Sequence, residues 1–299
     1  MPQQYFRRGL ASLFLLQAVF ASTLNAADWP RWRGVTVDNF VPGTDRQIEK
    51  LPAEPKTLWR VTLGDGNGSP VKAGDKVFIL DKIGTNEVLR AVSASTGKEV
   101  WQQLVDEAAD DTQGKGPRST PLVDGERIYV TSCRGDFQCR STKDGALLWK
   151  KNFTTDFEAV FIGEKPNPIA VGATRHGNNG SPIIDGESLY VQSGGTNGAS
   201  VVSLDRKSGK LIWKSQNDMA GYGGAYIALI EGQRQLVCFT ADGVIGLALK
   251  DGKLLWRFPI KTTWARHVTT PVVAGNVVIV SSHQHGLFGI AIKKDGDKL

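Results

Sequence analysis

Cysteine is scarce in this chain. Cys133, Cys139 and Cys238 are the only three in 299 residues, too few for a disulfide framework to carry the fold. None lies before residue 133, so no cysteine stands at the end of the amino-terminal segment to receive a lipid. One pairing stays open. Cys133 and Cys139 flank the turn Arg134-Gly135-Asp136, where they either bridge two strands in an oxidising compartment or act as two small buried hydrophobes.

Blocks of one charge are missing too. Lys and Arg number 36 against 30 Asp and Glu, a formal charge of +6, and the basic residues stand singly with acids between them. That pattern excludes the basic stripe of a nucleic-acid binder, so no nucleic-acid partner is expected. Long apolar runs are absent beyond residue 20. The one run, Leu10 to Phe20, is broken by Ser12 and Gln17 and falls short of the ~20 residues a membrane span needs. It follows Arg7-Arg8 and leads to Asn25-Ala26-Ala27, the layout of a cleaved secretory signal over residues 1–26. A membrane anchor is the competing reading. The signal reading predicts a periplasmic or secreted protein with no stable membrane insertion, and removing Arg7 and Arg8 lowers the charge from +6 to +4. Gly-x-Ser-x-Gly, His-Glu-x-x-His and Cys-x-x-Cys patterns are also missing, which leaves the common nucleophile and metal motifs unrepresented. Gly64-Asp65-Gly66-Asn67-Gly68 precedes a strand rather than opening a helix, so it reads as a turn and not a phosphate loop.

What is present is a repeat. Units start Ser69-Pro70, Thr120-Pro121, Ser181-Pro182 and Thr270-Pro271, pass through a Gly turn (Gly74, Gly125, Gly186, Gly275), and continue as Val77-Phe78-Ile79-Leu80, Ile128-Tyr129-Val130, Leu189-Tyr190-Val191 or Val277-Val278-Ile279-Val280. Runs rich in β-branched and aromatic residues between turn residues are strands. A further unit around Leu236-Val237-Cys238-Phe239 has Ala225-Tyr226-Ile227 in place of the Ser/Thr-Pro start. Each full unit closes with glycine four residues before tryptophan: Gly97 and Trp101, Gly145 and Trp149, Gly209 and Trp213, Gly252 and Trp256, while Trp59 ends a strand with no unit before it. The glycine suits the left-handed position of a hairpin loop, and the tryptophan, on the outer strand, is placed to lie against the neighbouring unit.

Four strands in roughly 40 to 60 residues, repeated, is the period of a propeller blade, because one such sheet cannot bury both faces without neighbours. The expected fold is all-β, a β-propeller of four-stranded blades. A flat sandwich does not explain the same turns recurring in one order. Counting Trp59 and a last unit that stops at Leu299, where the next tryptophan falls due, roughly six blades are represented, out of about seven or eight in a full ring. The expected organisation is a signal peptide over 1–26, an amino-terminal extension over 27–54 and an incomplete propeller over 55–299.

The unit resembles the quinoprotein-type propeller repeat, seen best in Ala91-Val92-Ser93-Ala94-Ser95-Thr96-Gly97-Lys98 and Ser203-Leu204-Asp205-Arg206-Lys207-Ser208-Gly209-Lys210. The opening Asp28-Trp29-Pro30-Arg31-Trp32-Arg33-Gly34 is similar to the mature start of exported propellers described as PQQ-binding-like. Quinoprotein dehydrogenases with this repeat carry a vicinal Cys-Cys over the cofactor and a Glu, Asn and Asp set around calcium. No Cys-Cys occurs here, and the carboxylates match no such motif. The resemblance therefore implies a scaffold that binds a protein or carbohydrate on its channel face, with no cofactor or metal. The alternative it implies is a PQQ- and calcium-dependent dehydrogenase of alcohols or sugars.

Binding sites gather on loops held by a rigid scaffold. In a propeller the links between blades and the middle hairpins share one face, and here these loops carry Arg118, Arg175, His176, Asn178, Arg266, His267, His283 and His285. Arg, His and Asn together suit an anionic group such as an acidic sugar, unless they simply meet water. His283 and His285 alternate on a strand and can face one metal, but they lack a third ligand.

Overall fold

A computed structural model describes residues 27–40, 53–54, 56–111, 114–160 and 176–296. Arg175 and the expected signal segment 1–26 lie outside them. Four antiparallel meanders follow one another, each pairing its strands in chain order. The first sheet holds β1 (Val71–Ala73), β2 (Lys76–Ile83), β3 (Asn86–Ser93) and β4 (Glu99–Glu107). A small hairpin, β5 (Asp110–Asp111) with β6 (Gly114–Lys115), precedes the second, which holds β7 (Leu122–Asp124), β8 (Arg127–Thr131), β9 (Asp136–Ser141) and β10 (Leu147–Asn152). A short helix α1 (Phe153–Phe157) then packs Phe153 and Phe157 inward, its first turn capped by Asn152 accepting from the Thr154 and Thr155 N–H groups. The third sheet is β11 (Ile183–Asp185), β12 (Ser188–Gly195), β13 (Ala199–Asp205) and β14 (Leu211–Ser215), and the fourth is β15 (Tyr226–Ile230), β16 (Gln233–Phe239), β17 (Gly243–Ala248) and β18 (Leu254–Pro259). A three-stranded sheet follows, β19 (Val272–Ala274), β20 (Val277–Ser282) and β21 (Gly286–Ala291).

The fold is the nearly all-β propeller that the repeat predicts. Five sheets are described where the repeat count gives six, because residues 56–63 form no strand. Trp59 nevertheless packs against the first sheet as an outer-strand tryptophan does.

Each sheet buries its faces against its neighbours. Phe78, Leu80 and Leu89 of the first sheet pack on Val123, Ile128 and Val130 of the second; Tyr129 and Phe137 meet Leu189, Val191 and Leu204. Ile183, Tyr190 and Val201 of the third sheet meet Leu236, Cys238 and Ile245 of the fourth, and Val237 and Phe239 meet Val278 and Val280 of the last. The tryptophans tie these interfaces at their rims. The indole N–H of Trp59, Trp101, Trp149 and Trp213 donates to the carbonyls of Ala94, Thr142, Arg206 and Leu249, at 2.9, 3.3, 3.2 and 3.0 Å. Each acceptor lies three residues before the next sheet's Gly97, Gly145, Gly209 or Gly252. Trp256 departs from the pattern and donates to Gln235 within its own sheet.

A bulge aims these tryptophans. The ladder between third and fourth strands skips Val100, Leu148, Ile212 and Leu255, the residue before tryptophan in each full sheet. The extra residue breaks the period of two, so the tryptophan turns toward the next sheet. Val100, Leu148 and Ile212 are left 49 %, 47 % and 47 % exposed.

All three cysteines are free and buried. The residue opposite Cys139 across the ladder is Tyr129, so Cys133, past the end of β8, does not face it.

Candidate functional site

In a meander of four strands, the first and third turns emerge at one end and the middle hairpin and outgoing link at the other. Around the axis, the Ser/Thr-Pro starts form a chain of bonds. Ser69 N–H donates to Thr120 Oγ1 and Thr120 N–H to Ser181 Oγ, both at 3.2 Å. In the fourth sheet Gly224-Ala225 stands where the hydroxyl belongs, and the gap admits Trp32, whose indole Cδ1 lies 3.7 Å from a Cβ built at Gly224. Its N–H reaches Thr270 Oγ1 at 3.2 Å.

Trp32 is brought there by the segment 28–37, which crosses the end of the molecule bearing the β1–β2 turns. Asp28 bonds the Lys72 ammonium and the Gly74 N–H, each at 2.9 Å. Trp29 exchanges both backbone bonds with Lys72, Pro30 C=O accepts from Val123 N–H, and Val37 enters the core between the third and fourth sheets. The segment thus touches all four four-stranded sheets and, through Thr270, the link into the last one. Sequence reasoning treated it as an extension; two tryptophans within four residues of a short polar stretch were the available signal.

A cavity of about 220 Å³ opens on the axis beside Trp32. Its walls are Arg118, Asn67, Asn179 and Tyr222, together with the blade-start hydroxyls of Thr120, Ser181 and Thr270. Of the seven nominated residues that are described, Arg118 alone lines it. Its guanidinium Nη2 donates to Gly114 C=O at 2.7 Å. Asn67, Tyr222 and Trp32 were not foreseen, since nothing local distinguishes them from turn and core residues.

The histidines do not gather. His176 is buried, its carbonyl accepts from the Cys133 thiol at 3.5 Å, and its ring lies 6.0 Å from that of Tyr222. Asn178, also buried, donates its backbone N–H to the Cys133 carbonyl at 2.9 Å. His267 is fully buried and stacked on Phe239 at 4.2 Å. Its Nδ1 lies 2.6 Å from Thr240 C=O; a carbonyl only accepts, so Nδ1 carries the proton. Burial holds the imidazole pKa below its ordinary value, which keeps the ring neutral. His283 and His285 do not alternate on a strand but lie in the exposed turn between β20 and β21, where His285 Nε2 is 2.7 Å from Lys261 C=O. Arg266 lies over the Trp264 ring, 5.8 Å from its centroid. His176, Asn178 and His267 fasten a link to the middle hairpin of the sheet it leaves, and His285 fastens the last sheet's hairpin to the link before it.

A buried carboxyl escaped the sequence reading altogether. Glu87, fully buried at the start of β3, accepts the Cys133 N–H on both oxygens at 3.2 Å. Burial, with Asp106 adding repulsion, pushes its pKa up to about 8. It therefore joins the first two sheets mainly as a neutral acid at pH 7.

With this geometry in hand, comparison with known proteins is informative. A family model described as outer membrane protein assembly factor BamB matches residues 44–174 and 85–297. The chain belongs to that family. BamB of Salmonella typhimurium is 29 % identical over 108 residues, 32 % of this chain and 26 % of that protein. BamB of Xanthomonas campestris pv. campestris is 25 % identical over 200 residues, 64 % of this chain and 40 % of that protein. The chain thus matches well under half the length of these curated relatives. The crystal structure of BamB from Moraxella catarrhalis superposes with a TM-score of 0.52 at 17 % identity, over 75 % of this chain and 63 % of that one. Quinohemoprotein alcohol dehydrogenase ADHIIG from Pseudomonas putida superposes at 0.50 with 11 % identity, over 78 % and 41 %, a likeness of fold alone. The calcium of such enzymes does not fit the described residues of this pocket. Its walls carry no carboxylate, and among the described residues no group of three or more His, Cys, Asp or Glu side chains is placed to hold a metal.

Proposed function

We propose that this BamB-family propeller is a non-catalytic scaffold of the bacterial envelope, exported by its first 26 residues, that holds a protein partner in outer-membrane protein assembly. The observation that carries the reading is the family match across residues 44–297, on a fold whose repeat residues serve sheet-to-sheet docking. The partner's surface is the face of links and middle hairpins. There Val268 is 63 % exposed, on a link held stiff by the His285 bond to Lys261 and by Gln284 bonding Thr263 twice, at 2.7 and 2.8 Å. An exposed apolar residue on a rigid, polar-rimmed frame suits a protein better than the carbohydrate that the loop composition also permits.

The test measures affinity between the full chain and purified outer-membrane assembly components of the same organism. Val268→Asp is expected to weaken binding at least tenfold, and Lys98→Glu, at the opposite end, to leave it unchanged. Equal effects of the two, or no binding at all, would overturn the reading. Dye reduction with alcohols or sugars after adding PQQ and calcium would overturn its non-catalytic part.

A further inference from the structure

The axial cavity is rich in hydrogen-bond donors that nothing in the fold uses. Thr120, Ser181 and Thr270 each accept a bond on the hydroxyl oxygen, from Ser69 N–H, Thr120 N–H and the Trp32 indole. A hydroxyl that accepts still has its own proton to give. Among the described residues none of the three donates it, and the Asn67 and Asn179 amides make no side-chain bond, Asn179 Oδ1 being buried without a partner. Arg118 supplies the only charge on the wall, and it is positive. Hydroxyl protons and side-chain amides that no described residue engages, set around one concave pocket beside a positive charge, suit a negatively charged acceptor. Trp32 and Tyr222 add two aromatic walls. The volume, about 220 Å³, is below the roughly 300–1,000 Å³ of drug-sized sites.

We propose that the cavity beside Trp32 binds the carboxylate of a small molecule or of a chain terminus, with Arg118 facing the charge and the three blade-start hydroxyls donating to its oxygens. The flat or apolar body of the ligand lies against Trp32 and Tyr222. The site adjoins the partner surface proposed above, since Val268 lines its wall, and the two readings fail separately, one read by partner affinity and the other by binding of a small acid. The amino-terminal segment is part of this site, because Trp32 comes from it.

The experiment is a ligand-observed ¹⁹F titration of the full chain with 4-fluorobenzoate and with 4-fluorobenzamide, which has the same shape and no charge. Saturable binding of the acid, with the amide at least tenfold weaker, is the expected result. Arg118→Gln should weaken the acid by roughly 10- to 100-fold, the range for one charge-assisted hydrogen bond. Asn179→Ala, which removes a side chain that no described residue bonds, should weaken it severalfold and keeps the test open if the arginine variant misfolds. Competition with acetyl-Ala-Phe as free acid and as amide separates the two sources: displacement by the free acid alone shows that a chain terminus fits, and no displacement assigns the site to free acids. No binding of the acid up to 10 mM, equal binding of acid and amide, or unchanged affinity in folded variants would overturn the proposal.

Discussion

Replacing Gly209 with alanine tests whether the tryptophan repeat holds the sheets together or merely ends a strand. Gly209 has φ of +70°, and a Cβ there would lie 2.7 Å from Cδ2 of Trp149 in the preceding sheet. Gly186, in the β11–β12 turn, has φ of +56° with nothing within 4 Å. Both alanine variants carry the left-handed backbone penalty, about 1 kcal/mol. Only Gly209→Ala must also move the indole. That puts at risk the bond from Trp149 Nε1 to Arg206 C=O, a carbonyl that Tyr129 Oη also uses at 3.0 Å. Losing that bond costs about 1 kcal/mol, and crowding the rim of the inter-sheet core adds about 1–3 kcal/mol. The expected losses are therefore about 1 kcal/mol for Gly186→Ala and about 3–5 kcal/mol for Gly209→Ala. Urea unfolding followed by circular dichroism, with slopes compared to detect any change in cooperativity, reads the difference. In a Trp149→Leu background the cost of Gly209→Ala should shrink to that of Gly186→Ala. Equal destabilisation by the two single variants would refute the docking argument.

The buried groups give the remaining predictions. Glu87 has a pKa raised from 4.5 to about 8, so between those values the folded state holds a proton that the unfolded state has lost. Stability should fall as pH rises through that window, by at most about 1.4 kcal/mol per pH unit from this group. Glu87→Gln should flatten that slope in melts from pH 4.5 to 8, and an unchanged slope would contradict the assignment. For His267 the sign is opposite, since burial lowers its pKa: the stability it contributes is complete above the ordinary value of 6.5 and is lost as pH falls through the folded pKa. His267→Phe should blunt that acid-side loss. A thiol assay should find almost no reactive cysteine in the native protein and three per chain in denaturant, because all three are free and buried and burial pushes the Cys139 thiol up to about 12. One thiol in denaturant would mean a disulfide.

The architecture was legible because its signals are local and repeated. A left-handed glycine, a β-branched run and a tryptophan four residues past a second glycine need only their own neighbours to specify a hairpin, and four copies make the pattern hard to mistake. The site was less legible. His267 and His176 looked like ligands because they sit on link loops, but whether a loop histidine faces a ligand or a neighbouring sheet depends on packing that sequence separation conceals. His267, for instance, meets Thr240 from 27 residues away. Arg118 was nominated, while Asn67 and Tyr222 were passed over, although all three line one cavity.

By itself the sequence determined strands, turns and their order, since these follow from backbone preference and a period of two. Tertiary structure decided where the side chains went. The bulge at Val100, Leu148 and Ile212 shifts each tryptophan off the simple alternation and onto the next sheet, a choice enforced by the core that the two sheets share. Trp32 in the axial pocket is the sharper case. Its position depends on Lys72, Val123 and Thr270, which reach one place only when the sheets pack around an axis.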